Sequence, residues 1–375
     1  MMTAEYLKYI WQYKNWTNFS WSSDQLLPLL GKARQAQGKI LIKIKAMGAF
    51  LTDEAQAEIL TEEAIKTSAI EGEVLNRDSV RSSVARHLGL SHAGLPRAER
   101  HIDGLVEILL DATRNYDKPL TVKRLQSWHA ALFPTGYSGL NKIRAGKWRI
   151  KPMQVVSGVV GKEKVHYQAP PPENLDKEMK GFLVWWEKSK GTMEGFLRAA
   201  MAHFWFVTIH PFDDGNGRIA RVLTDMALAQ DEKLQMRFYS FSSQIMEERG
   251  DYYDILEKCS KGKSDITVWL SWFLGCLTRA TGKSEMLIIN VLAKADFWQR
   301  FSQTTMNERQ RKVVNRLLDT GAGKFHGGLT TRKYVSLAKT SRATAFREIS
   351  DLVDKKVLRQ NTGKGRSVSY DLNWG

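Results

Sequence analysis

The residues of this 375-residue chain whose types and spacing suit chemistry lie in one run, His210-Pro211-Phe212-Asp213-Asp214-Gly215-Asn216-Gly217-Arg218-Ile219-Ala220-Arg221. His210 closes an apolar segment. Gly215 and Gly217 let the backbone approach a ligand before a new helix starts near Arg218, so free N–H groups face one point as an anion nest. Arg218 and Arg221, spaced i and i+3, share one face of the first helical turn, where both guanidiniums reach phosphate oxygens beside that nest. Asp214 adds a carboxylate suited to Mg2+, which usually binds through one or two carboxylates plus substrate phosphates. An imidazole titrating near neutrality stands beside them as a candidate base. Together these parts describe a site for a magnesium-bound polyphosphate, and a plain helix-to-helix turn needs none of the combination. The G-x-x-x-x-G-K-[ST] spacing of a Walker A loop is absent.

Elements must hold this run in place. The segment 195–209 carries Phe196, Leu197, Met201, Phe204, Trp205, Phe206 and Val207 on all sides, which predicts a central buried helix immediately ahead of His210. Helical patterns also cover 105–110, 125–133, 175–186, 219–229, 244–257 and 266–281, with Thr121 as N-cap of the second. Between 147 and 168, Trp148, Ile150, Val155, Val156, Val159, Val160, Val165 and Tyr167, interrupted by Gly158 and Gly161, predict a short hairpin ended by Pro170-Pro171-Pro172. Residues 1–80 read as helical, with Trp11, Trp16, Phe19 and Trp21 anchoring them to a neighbour. A helix from about 52 toward Ile70 meets Glu71-Gly72, where Gly supplies a left-handed C-terminal position. From 307 onward three helical patterns (308–318, 331–338, 341–354) precede Val357-Leu358-Arg359, the turn Gly363-Lys364-Gly365 and the segment 367–370, which is the order of a winged helix.

Composition sets the class. Hydrophobic residues make up 43% and charged residues 26%, with 28 Gly and 9 Pro, which excludes a disordered, low-complexity or collagen-like chain. The length predicts two or three domains. Two cysteines, Cys259 and Cys276, form no disulfide framework pattern. The N-terminal residues lack a continuous apolar h-region, and the longest apolar stretch, 266–277, is shorter than a bilayer span, so a soluble cytoplasmic protein without membrane attachment is expected. Net charge is +16, and 15 Lys+Arg against 6 Asp+Glu from Asn307 onward place +9 of it in the last 69 residues.

The run from His210 to Arg221 resembles the signature of the Fic family, H-P-F-x-[DE]-G-N-[GK]-R-x-x-R, at every specified position. The likeness extends over 79–274, through L-T-x-x-x-L-x-x-W-H-x-x-L-F at 120–133, the hairpin ending in Ala169-Pro170-Pro171, and Tyr252-Tyr253. Residues 1–80 look like the helical domain of unknown function that often precedes such Fic domains. The resemblance implies a mainly α protein: an N-terminal helical domain (1–80), a helical Fic core with a β-hairpin flap (81–285), a helical connector (286–306) and a C-terminal winged helix (307–375). It further implies transfer of AMP from ATP, with Mg2+, to a Ser, Thr or Tyr hydroxyl of a protein target, self-modification included.

In that reading His210 takes the hydroxyl proton and Asp214 holds the metal. Gly215, Asn216, Gly217, Arg218, Ile219, Ala220 and Arg221 bind the nucleotide, with Tyr252 or Tyr253 bordering the adenine, and the flap's edge strand pairs with the target. Thr67-Ser68-Ala69-Ile70-Glu71-Gly72 fits the family's inhibitory pattern [ST]-x-x-x-E-[GN], which implies that Glu71 pairs with Arg221 and keeps it from the γ-phosphate. Removal of AMP, with Glu71 positioning water, is the alternative direction. A regulator whose tail binds DNA while the core senses nucleotide or modifies the regulator is the rival class. The tail reads equally as a dimerisation or recruitment module, because Asp351 and Asp354 on its third helix oppose DNA. His129 and His203 read as core histidines.

Overall fold

The computed structural model describes residues 8–45, 49–90, 95–157, 164–320, 325–362 and 368–374. It divides into two compact units, 1–284 and 285–375.

The first unit holds α1 (Ser23–Lys45), α2 (Ala49–Ile70), α3 (Arg77–Leu88), α4 (Arg100–Arg114), α5 (Val122–Leu132), a two-residue pair β1 (Tyr137–Ser138) and β2 (Asn141–Lys142), the hairpin β3 (Gln154–Ser157) and β4 (Lys164–Gln168), α6 (Leu175–Ser189), α7 (Gly195–Ile209), α8 (Asn216–Glu232), α9 (Phe241–Glu247) and α10 (Arg249–Ser260). Helix α11 (Thr267–Arg300) begins in this unit, and the division falls within it. The core forms around α7, which is buried along nearly its whole length, as its uniformly apolar composition requires. Glu194 caps α7 by accepting from Leu197 N–H at 2.8 Å, and the same carboxylate with Asp231 of α8 holds Arg34 of α1. The N-terminal aromatics seat against α7 and the hairpin: Trp16 lies 5.9 Å from Trp205, Phe19 5.7 Å from Phe204, and Tyr9 5.3 Å from Tyr167. Thr121 caps α5, as its position predicts, accepting from Arg124 N–H at 3.1 Å.

Several boundaries differ from the sequence reading. The pattern at 244–257 is two helices separated at Glu248, each with its own hydrogen-bonded start, because Ser240 caps α9 and the chain turns before α10. The strands are shorter than the β-branched run: Trp148 and Ile150 precede β3, since Arg149 between them is drawn into the interior. Gly158, Val159, Val160 and Gly161 lie outside the described residues. Both cysteines are buried and free. Among the described residues no helix is long and apolar enough to cross a membrane.

The second unit has its own core, built from Val313, Val314, Leu317, Leu329, Tyr334, Ile349, Leu352 and Leu372 among others. Three helices, α12 (Glu308–Thr320), α13 (Thr331–Ala338) and α14 (Arg342–Asp354), precede the antiparallel pair β5 (Leu358–Gln360) and β6 (Tyr370–Leu372), and Leu329 bridges to Tyr370. Gly363, Lys364, Gly365 and Arg366, the expected turn between the strands, lie outside the described residues.

Candidate active site

Helix α7 ends where His210 adopts a left-handed backbone (φ 52, ψ 59), its N–H still bonded to Phe206 O at 3.0 Å. The Nδ1 atom of His210 lies 3.1 Å from Val207 O, and a carbonyl only accepts, so Nδ1 carries the hydrogen and Nε2 keeps a lone pair. Burial holds this imidazole below its ordinary pKa. The loop after it is braced by Asn216, whose Oδ1 accepts from Phe212 N–H and whose Nδ2 donates to Phe212 O, each at 2.9 Å. Gly215 turns the chain at φ 76, with Phe133 only 2.8 Å from where a Cβ would sit. The first backbone bond of α8 is Ile219 N–H to Gly215 O at 3.0 Å. The N–H groups of Asn216, Gly217 and Arg218 therefore precede the ladder, and the helix starts two residues earlier than its sequence pattern indicates. Ile219 and Ala220 are fully buried, so they meet a ligand at this helix start only through its backbone.

Asp214 lies beside the nest. Its carboxylate accepts from the Ser138 hydroxyl and from Gly215 N–H. Its carbonyl accepts from His129 Nε2 at 3.1 Å, while His129 Nδ1 accepts from Gly146 N–H at 2.8 Å, which fixes the tautomer. Burial pushes His129 down to about 4, so it stays neutral as it holds the loop. His129 is thus buried, as read from the sequence, and also a brace for the motif. Asp214 is a single hard carboxylate, and among the described residues no group of three or more His, Cys, Asp or Glu gathers to hold a metal.

The two arginines face carboxylates from the turn after α2. Arg221, 1% exposed, donates through Nε to Thr67 Oγ1 at 2.7 Å and through Nη2 to Thr67 O at 2.9 Å and Glu71 Oε1 at 2.7 Å. Burial disfavours its charge, but the Glu71 carboxylate leads the contributions that outweigh this and raise its pKa. Glu71 also covers the nest: a Cβ on Gly217 would sit 2.3 Å from Glu71 Oε1. Arg218 Nη1 meets Glu73 Oε2 at 3.2 Å.

A cavity of about 530 Å³ opens beside His210 and Gly217, between β3, β4, α7 and α10. Tyr252 and Tyr253 both line it, but Tyr252 is 1% exposed and Tyr253 36%, so Tyr253 presents more surface. Thr224 gives its hydroxyl hydrogen to Ala220 O, so His203 Nδ1 donates to Thr224 at 2.9 Å and His203 Nε2 accepts from Tyr252 O–H at 2.9 Å. Burial pushes His203 down to about 3. The relay leaves the Tyr252 oxygen free to face the Arg221 guanidinium. On the outer wall, Glu257 of α10 accepts from His166 of β4 and Lys261, each at 2.5 Å, tying the hairpin to the cavity.

Sequence reasoning passed over Arg149. Its Nε donates to His210 O at 2.8 Å, Nη1 to Lys151 O at 3.0 Å, and Nη2 to Pro170 O at 2.5 Å, while its own N–H donates to Pro211 O at 2.9 Å. A guanidinium spent on carbonyls far away in sequence leaves no local signal. Glu73 and Ser138 were missed for the same reason.

Comparison with known proteins accords with this geometry. Residues 119–228 match the Fic/DOC family and residues 9–90 a domain of unknown function, DUF4172. Protein adenylyltransferase Fic of Nematostella vectensis is 34% identical over 113 residues, which are 29% of this chain and 24% of that protein. A uridine 5'-monophosphate transferase of Xanthomonas campestris pv. campestris is 34% identical over 118 residues, 29% of this chain and 21% of that protein. The chain thus spans about a quarter of the length of these curated relatives. Among solved structures, a Fic family protein from Desulfovibrio desulfuricans G20 superposes with a TM-score of 0.54 at 17% identity, covering 94% of this chain and 96% of that one. Residues 119–228, which carry the motif, thus match the Fic/DOC family, and the mostly helical fold that holds them is similar to that of a solved Fic family protein.

Proposed function

We infer that the protein transfers AMP from ATP to a side-chain hydroxyl of a protein target and that Glu71 restrains the reaction. One observation carries the reading: His210, with its Nε2 lone pair, and Gly217 at the open N-terminus of α8 line one nucleotide-sized cavity together with Glu71, the carboxylate that holds Arg221. In the reaction His210 Nε2 takes the proton as the target oxygen bonds to the α-phosphorus. The bond from that phosphorus to the bridging oxygen breaks, and pyrophosphate leaves. The N–H groups of Asn216, Gly217 and Arg218 meet the charge on the α-phosphate, and Arg221 grips the γ-phosphate. Asp214 would hold a Mg2+ ion, which would supply charge neutralisation at the phosphates. The hairpin β3–β4 holds the target by strand pairing, which reads backbone and little of the side chains.

Glu71 supports the restraint, because its carboxylate occupies both the Arg221 guanidinium and the space over Gly217. ATP that enters beside it settles with its α-phosphorus out of line, and such misplacement costs on the order of 10²-fold in rate. Incubation of the Glu71→Gly protein with α-labelled ATP or α-labelled UTP tests the reading. Label should enter protein from ATP, require Mg2+ and vanish in the His210→Ala background. Incorporation from UTP alone would reassign the nucleotide. No incorporation, with loss of an AMP-removing activity that wild type possesses, would reverse the direction.

A further inference from the structure

The second unit carries a surface that nucleotidyl transfer does not use. Helix α14 is capped by Ser341, which accepts from Thr344 N–H, and it follows α13 across the turn Lys339-Thr340-Ser341, where Lys339 is left-handed at φ 49. Ala345, Ile349 and Leu352 fix one face of α14 in the core. Two of its three acidic residues are already engaged by neighbours, one buried and one at the surface. Glu348, 7% exposed, accepts from Arg309 and Asn307 at 3.0 Å and from the Tyr334 hydroxyl at 2.8 Å. Asp351 accepts from Gln310 at 2.7 Å and Lys355 at 2.6 Å. The charge that opposes an anionic partner in the sequence is therefore spent against α12 and Lys355, and Asp354 alone remains, at the far end of the helix.

The opposite face presents Arg342, Ala343, Phe346 and Arg347 in its first two turns, all exposed, with Phe346 at 61%. Arg332 and Lys339 are exposed on α13 and the turn. Among the described residues none of these four cations enters an ion pair. An unpaired cationic helix face that also exposes an aromatic ring complements a polyanion that offers apolar base edges beside its phosphates. The combination favours duplex DNA over RNA. An α-helix enters the B-form major groove, where Arg pairs with guanine O6 and N7 and Phe contacts the thymine methyl, whereas the A-form major groove is too deep and narrow to admit it.

We propose that α14 is a DNA-reading helix, with Arg342, Phe346 and Arg347 as the side chains that meet base edges and Arg332 and Lys339 on the flanking phosphates. The site is independent of the transfer reaction. The test uses the full-length protein and a fluorescein-labelled duplex, first of random sequence and then of whatever sequence is enriched from a random pool. Wild-type affinity should fall about 12-fold between about 50 and 200 mM KCl, the response to two phosphate contacts. Arg342→Ala with Arg347→Ala should lose at least about tenfold and abolish enrichment of a preferred site, each such contact carrying base discrimination. Replacing thymine by uracil in the enriched site removes only the methyl groups. It should weaken wild type severalfold and leave Phe346→Ala unchanged. All three positions are exposed, so unfolding temperature and AMP incorporation should stay at wild-type values, which separates this test from that of the catalytic reading. No duplex binding at the lowest salt, affinity indifferent to salt, an arginine pair whose loss changes nothing, or preference for single-stranded RNA or a protein at the same residues would each overturn the proposal.

Discussion

Glu71→Gly exposes the proposed restraint to direct measurement. The pair it breaks joins Arg221, with a side chain 1% exposed, to Glu71, with a side chain 29% exposed, at 2.7 Å. A hydrogen bond to a charged group contributes about 1.5–3 kcal/mol, and the partial exposure of Glu71 argues for the lower half of that range after solvent screening. About 1.5–2 kcal/mol, recovered when the γ-phosphate no longer competes with a carboxylate, corresponds to about a 10- to 30-fold rise in AMP incorporation. Glu71→Gln keeps an acceptor without the charge and should rise only a few-fold, since neutral hydrogen bonds contribute about 0.5–1.5 kcal/mol. The assay is initial-rate incorporation of labelled AMP, paired with calorimetric titration of ATP and ADP. ADP, which lacks the γ-phosphate, should bind wild type and Glu71→Gly alike. Arg221→Ala added to Glu71→Gly should erase the gain. The variant without nucleotide, with Arg221 stripped of its carboxylate, should unfold at a lower temperature and recover on adding ATP. A folded Glu71→Gly protein that incorporates no more AMP than wild type would refute the reasoning.

Glu73→Gln should add a smaller activation, about two- to fivefold, because its pair with Arg218 is longer and more exposed than that of Glu71 and is worth at most about 1 kcal/mol. His210→Ala should abolish transfer while changing ATP affinity less than about twofold, because the ring acts on the hydroxyl and not the phosphates. Because burial lowers the His210 pKa, the base stays neutral to more acidic pH, and the acid limb of the Glu71→Gly rate profile should fall below the ordinary histidine value near 6.5. Arg149→Met should lower stability by at least about 3 kcal/mol, read from denaturant unfolding, since it strands several buried carbonyls at about 1–3 kcal/mol each.

The sequence made the chemistry legible because its parts are contiguous. Histidine, nest and arginines follow one another within a single turn, and the apolar run before them could only be a buried helix. The pairing of Glu71 with Arg221 also emerges in the structure, although 150 residues separate them, because the local pattern around Glu71 singled it out. Other parts depend on distant partners that no periodicity marks. Arg149 looks like one basic residue among 56, and its role exists only once the ends of the hairpin and of α7 have met. The break at Glu248 escaped for a related reason, since both flanking segments are helical and the change of direction leaves the composition untouched. On α14, sequence counted Asp351 as a surface charge, and only the packing of α12 reveals that Gln310 engages it.

The guanidinium of Arg149 reaches the chain just before β3 at Lys151, just after β4 at Pro170, and the main-chain carbonyl of His210 itself. It works as a jig: both roots of the strand pair that would present the incoming hydroxyl are referenced to the backbone of the residue whose ring would receive its proton. A substrate segment laid along the hairpin is then measured against His210 in main-chain units, one residue at a time. Slipping by a single residue turns the neighbouring side chain away from His210, so the proposed transfer would be indifferent to what surrounds the acceptor and still reach only one position in a strand.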